Sequence, residues 1–140
     1  MAERTGEMSF SDTETRNLEV VRTMAANGIR GQWDVVRPLV ADDIVLHVPA
    51  SLPWGGDRHG WEGYQEALLT MGKFFQELAF GPFSFSPVDD KVIIRTDLKG
   101  RVAATGKPVA MPLLEVWQVS DGKVCDIVAY FFDTKALVDP

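Results

Sequence analysis

Hydrophobic and polar positions along the chain change period once, near Gly81-Pro82, and that change sets the fold class. Before it the apolar residues recur at helical spacing. Leu18, Val21 and Ala25 mark one face of a helix that opens on the capping box Ser11-Asp12-Thr13-Glu14 and ends at Asn27-Gly28. A second, shorter helix is predicted from about Gln32 to Val40, with Trp33, Val36 and Leu39 or Val40 inward and Asp42-Asp43 closing it. Ile44–Val48 then reads as a short strand stopped by Pro49, and Ala50–Gly60 as a loop. From Trp61 to Leu78, the residues Tyr64, Leu68, Met71, Phe75 and Leu78 form one stripe of a third helix, most simply a core-packing face.

Past Gly81-Pro82 the pattern becomes strand-like. Phe83–Val88, Lys91–Leu98, Arg101–Val102 with Val109–Val119, and Lys123–Phe132 are expected to make a largely antiparallel sheet. The last two runs meet at Ser120-Asp121-Gly122, where Asp-Gly supplies the positive φ that a tight hairpin needs. On the first of them Leu113, Glu115, Trp117 and Val119 share one face, while Leu114, Val116 and Gln118 share the other. A carboxylate between Leu113 and Trp117 fits the wall of a binding cavity better than a plain core. Helices first and strands afterwards mean α+β, with the helices packed on one face of a curved sheet. A sheet so curved encloses a pocket.

Composition narrows the partners. The chain has 140 residues, 14 basic against 20 acidic, for a net charge of −6. That balance argues against nucleic acid or an anionic membrane surface. The apolar runs are too short to span a bilayer, and the first thirty residues lack a signal-peptide core, so a cytoplasmic protein is expected. Residues 1–10 read as a disordered tail and 11–140 as one domain. Cys125 stands alone and there are two histidines, so neither a disulfide nor a metal centre is expected.

Several strings carry a family resemblance. They are Leu39-Val40-Ala41-Asp42-Asp43-Ile44-Val45-Leu46-His47-Val48-Pro49, His59-Gly60-Trp61-Glu62-Gly63, Thr105-Gly106-Lys107-Pro108-Val109, the run Glu115–Val124, and Phe132-Asp133-Thr134-Lys135-Ala136-Leu137. With them the chain resembles the SnoaL-like polyketide cyclase and ketosteroid-isomerase-like branch of the NTF2-like superfamily, from about Glu14 to Leu137. The resemblance implies an NTF2-like (cystatin-like) cone, three N-terminal helices packed on a curved, mostly antiparallel sheet around a pocket. It implies a small hydrophobic ligand, acid–base chemistry without metal or organic cofactor, and a homodimer through the outer sheet face. Leu114 and Val116 are the residues that would need such cover.

The same cone hosts isomerases, cyclases, epoxide hydrolases and non-catalytic binders, so the site must decide. Glu115 matches the strand position of the pocket histidine in the cyclases and is the candidate base; the alternative is an outward, solvated carboxylate. His47 matches a pocket asparagine of the epoxide hydrolases and lies at or beside the base aspartate of the isomerases, unless Val48 is the inward residue instead. Arg95 and Asp97, two apart on a strand, match the Arg-x-Asp of limonene epoxide hydrolase-like enzymes; a surface ion pair gives the same spacing. Tyr130 falls where cyclases and hydrolases place a second aspartate, provided a β-bulge adds one residue; without it the position is Ala129. Asp126 shares a face with Tyr130 by parity. Trp54, Trp61, Trp117, Val48, Leu113 and Phe75 are expected to contact the ligand, the tryptophans by stacking. The leading expectation is isomerase- or cyclase-type chemistry on a carbonyl compound. The alternatives are a non-catalytic ligand-binding module and an epoxide hydrolase using Arg95 and Asp97.

Overall fold

The computed structural model describes residues 9–139, so residues 1–8 of the expected disordered tail lie outside the described residues. In chain order the elements are α1 (Asp12–Gly28), α2 (Trp33–Val36) with a 3₁₀ turn at Arg37–Leu39, β1 (Val40–Val48), β2 (Gly56–His59), α3 (Gly60–Phe74), β3 (Phe75–Phe80), β4 (Ser84–Val88), β5 (Lys91–Val102), β6 (Pro108–Ser120), β7 (Lys123–Phe131) and α4 (Lys135–Val138). The architecture is the expected α+β cone.

One sheet of seven strands runs β2-β1-β7-β6-β5-β3, with β4 also on β5. Its pairs are antiparallel except β1 with β7. The β6–β7 hairpin turns at Asp121 (φ 51°) and Gly122 (φ 77°), the two left-handed residues that a tight turn of this kind requires. A register shift between Gln118 and Val119 marks a bulge at Cys125 opposite them. Ser11 caps α1 as its sequence indicates: its hydroxyl accepts from the Glu14 amide at 3.1 Å, and the Glu14 carboxylate accepts from the Ser11 amide at 3.0 Å.

Three local expectations are corrected. Asp42 and Asp43 lie inside β1 rather than closing a helix, because Pro38 tightens the chain into a 3₁₀ turn and Val40 then begins the strand. The loop after Pro49 contains β2, which pairs with β1 from Val45 opposite His59 to Val48 opposite Gly56. The third helix stops at Phe74; Phe75–Phe80 is a strand on β5, with Phe75 opposite Val102 and Phe80 opposite Leu98. Sheet pairing overrides the helical stripe there, and the irregular step between Gln76 and Ala79 includes Glu77 at φ 56°.

The core lies between the concave sheet face and the helices. Val21 and Met24 of α1, Tyr64, Ala67 and Met71 of α3, and Ile44, Val92, Leu98, Val124 and Ile127 of the sheet are buried there. The outer face keeps Leu114 and Tyr130 exposed, and the exposed Phe132 projects just beyond β7. No helix among the described residues is long and apolar enough to cross a membrane.

A candidate active site inside the cone

Period-2 alternation on three neighbouring strands builds one wall of the hollow. β6 sends Leu113, Glu115 and Trp117 inward; β5 places Thr96 opposite Leu113 and Ile94 opposite Glu115; β7 places Ala129 opposite Glu115 and Phe131 opposite Leu113. Met24 and Gly28 of α1, with Tyr64, Ala67 and Met71 of α3, form the other wall, and Trp54 closes one side. Trp54 is held by Phe74, Phe75 and Phe131, with ring centroids 5.2, 5.6 and 5.6 Å away. The cavity measures about 100 Å³ and its lining is overwhelmingly apolar.

Among the described residues, three that line the cavity carry a side-chain oxygen: Tyr64, Thr96 and Glu115. No basic side chain among the described residues lines the cavity. Glu115 accepts a 2.7 Å hydrogen bond from Trp117 Nε1. It keeps some accessible surface, yet its carboxyl is closely surrounded by protein. The two facts agree, because surface facing a hollow is not surface facing bulk water. Desolvation pushes its pKa above the usual value of 4.5, and the Trp117 hydrogen bond opposes this only in part.

Tyr64 is buried among the helices, and its phenol is pushed well above the ordinary value of 10, first by desolvation and second by the charge of Glu115. It therefore stays a neutral O–H donor at physiological pH. Gly28 makes room for it: a Cβ at that position would lie 2.5 Å from Tyr64 Oη. Thr96 is 2% exposed, and no group among the described residues partners its hydroxyl.

The other candidates stand outside the cavity. Val48 lines it, which turns His47 to the outer sheet face. There His47 Nδ1 lies 2.8 Å from Asp57 Oδ1 and Nε2 lies 2.8 Å from Asp126 Oδ1. Both ring nitrogens face carboxylates, which favours the doubly protonated imidazolium. The Asp57 hydrogen bond, and then Asp126, raise its pKa above 6.5 against an opposing desolvation effect. A histidine NMR titration is therefore expected to give His47 a pKa above 6.5 that falls in Asp57→Asn; an unshifted value would contradict the bridge. Because the folded pKa is the higher one, the stabilisation is fully present below about pH 6.5. It is lost as pH rises through the folded value. With a third of the ring exposed, it is worth roughly 0.2–1 kcal/mol.

Arg95 and Asp97 form a loose pair at 3.8 Å with both side chains open to solvent. Parity explains this: Thr96 between them is the inward residue. Tyr130 is 55% exposed, since Ala129 takes the inward position opposite Glu115 even with the bulge present. Asp126 shares the outer face with Tyr130, as parity indicates. Of the expected ligand contacts, Trp54, Trp117, Val48 and Leu113 line the cavity. Phe75 supports Trp54 from behind. Trp61 stacks on Tyr64 and meets Trp33 edge-on, with the Arg37 guanidinium over its ring.

Two residues of the site are absent from the sequence-based candidates. Tyr64 sits in the helical stripe, where periodicity reads it as core. Thr96 had a usable signal: if Arg95 and Asp97 share the outer face, the residue between them must point in.

A family model, described as a SnoaL-like domain, matches residues 20–127, well over half of the chain. The chain belongs to the SnoaL-like family. Solved structures agree on the fold of this SnoaL-like protein. An NTF2-like protein from Burkholderia xenovorans is similar at 23% identity, over 88% of this chain and 93% of that one, with a TM-score of 0.80. A protein of SnoaL-like polyketide cyclase type from Jannaschia is 18% identical over 95% and 99%, with a TM-score of 0.81. A protein with a ketosteroid isomerase-like fold from Catenulispora acidiphila, in complex with trimethylamine, is 16% identical over 85% and 88%, with a TM-score of 0.71. The comparison with curated proteins finds no match.

Proposed function

We propose that this SnoaL-like protein binds a small, mostly apolar carbonyl compound in the cone and moves a proton on it, with Glu115 as the acid–base group. The observation that carries the reading is a desolvated carboxyl that, among the described residues, has one hydrogen bond, from Trp117, and no cation beside it in the cavity. A raised pKa brings such a group closer to the pH at which it works, which suits a base that must also return its proton. In the forward step the carboxylate takes a proton from the carbon beside the carbonyl. The C–H pair moves into the C–C bond and the carbonyl π pair moves onto oxygen. Protonation of the same carbon by a Glu115 carboxyl that has exchanged with solvent completes α-exchange. In a β,γ-unsaturated ketone the enolate is a dienolate, and return of the proton to the γ-carbon, as the C=C pair shifts into conjugation with the carbonyl, completes an isomerisation. Tyr64, kept neutral, contributes a donor near Glu115 without competing for the proton.

Epoxide hydrolysis through Arg95 and Asp97 has no support in this geometry, since both residues face solvent. A non-catalytic binder is separated by one experiment: proton NMR of solvent deuterium entering the α-positions of cyclohexanone. Enzyme-dependent exchange that disappears in Glu115→Gln supports the catalytic reading. No acceleration over buffer leaves a binder.

A further inference from the structure

Thr96 has no part in the chemistry above, yet it is the most unusual polar group in the cavity. Its side chain is buried, it lines the hollow, and its hydroxyl lacks a partner among the described residues. Native proteins rarely leave a buried hydroxyl unpaired, and valine of the same shape would serve a purely packing role on a strand. The register makes Thr96 the diagonal neighbour of Glu115: Thr96 faces Leu113, Ile94 faces Glu115. Such diagonal pairs stand about 7 Å apart at Cβ, close enough for both side chains to reach one small molecule.

Size adds the second constraint. The cavity of about 100 Å³ is smaller than the ~150 Å³ of one that holds benzene, so a single small ring is the upper limit and a fused system exceeds it. Trp54, Met71 and Phe131 crowd that space from different elements.

We propose that the cavity selects a ketone of no more than one ring, and that Thr96 Oγ1 donates the hydrogen bond that anchors the ketone oxygen. Anchoring there directs the carbon beside the carbonyl toward Glu115. The inference rests on the reading of the cone as a carbonyl-binding site, but its test is separable from that of Glu115.

The test measures binding by ligand-observed NMR with three probes: cyclohexanone, its oxygen-free isostere methylenecyclohexane, and the fused bicyclic 1-decalone. Thr96→Val is expected to weaken cyclohexanone about tenfold while leaving methylenecyclohexane within about twofold, the difference being one hydrogen bond. Thr96→Ser, which keeps the hydroxyl, restores most of the ketone affinity. The wild type should bind 1-decalone at least about tenfold more weakly than cyclohexanone, as overpacking of a small cavity demands. Equal effects of Thr96→Val on the two single-ring probes would overturn the anchor, as would no effect at all; a hydroxyl satisfied by solvent gives either result. Equal or tighter binding of 1-decalone would overturn the size limit, and failure of cyclohexanone to bind would overturn both. If ketone binding depends on Thr96 but no deuterium exchange occurs, the Glu115 chemistry fails and this inference stands. If exchange is lost in Glu115→Gln while Thr96→Val binds ketone normally, the reverse holds.

Discussion

In the Glu115→Gln variant, deuterium exchange into cyclohexanone falls by about 10²–10⁴-fold, the usual worth of a positioned general base. Glutamine keeps the shape of the side chain and can still accept from Trp117 Nε1, so the loss is of basicity rather than of packing. Stability moves the other way. The folded pKa of Glu115 lies above the unfolded value of 4.5, so the protein carries no penalty below that pH, where both states hold the proton. As pH rises from there through the folded value, the buried carboxyl must either hold a proton at a cost or ionise in a desolvated site. Glu115→Gln is therefore expected to match the wild type near pH 4. It should exceed the wild type at pH 8, where the buried carboxyl carries its desolvation cost and the neutral amide does not. Thermal melts at the two pH values check this. A variant that is slower but no more stable at pH 8 would mean that the carboxyl is solvated.

Trp54→Ala has the largest expected effect on stability. Trp54 is 2% exposed and packs on Phe74, Phe75 and Phe131 while closing one side of the cavity. Removing an indole from such a site costs about 3–5 kcal/mol, because the lost contacts and the residual void add together. The void here joins a hollow that already exists, so the surrounding aromatic rings have little reason to collapse into it. Chemical denaturation is expected to show the full loss in the midpoint with little change in slope. The enlarged cavity should then admit 1-decalone. A cost below about 1 kcal/mol would place Trp54 at a yielding rim instead of a packed wall.

Much of the architecture could be read from residue order because its signals are local. The Ser11–Glu14 capping box, the Asp121-Gly122 turn and the alternation on β6 each act within a few residues, and each appears as expected. The α3–β3 boundary was not legible. Phe75 and Leu78 fit a helical stripe, and only pairing with β5, distant in sequence, decides that they belong to a strand.

The site was half legible for the same reason. Glu115 is inward because its neighbours Leu113 and Trp117 are large and apolar. His47, Arg95, Asp97 and Tyr130 could be placed on a strand but not on a side, since a slip of one residue reverses the facing. Thr96 and Ala129 occupy the inward positions that those candidates miss. The pairing of β5 and β7 with β6 supplies the missing information, by fixing which residues stand beside Glu115.

The most direct measurement is a ¹³C NMR titration of the Glu115 carboxyl, assigned by comparison with Glu115→Gln. A pKa clearly above 4.5, falling when Trp54→Ala opens the cavity to water, is the predicted result. A carboxyl that titrates at or below 4.5 would be solvated, and Glu115 would then have no claim to proton transfer in the cone.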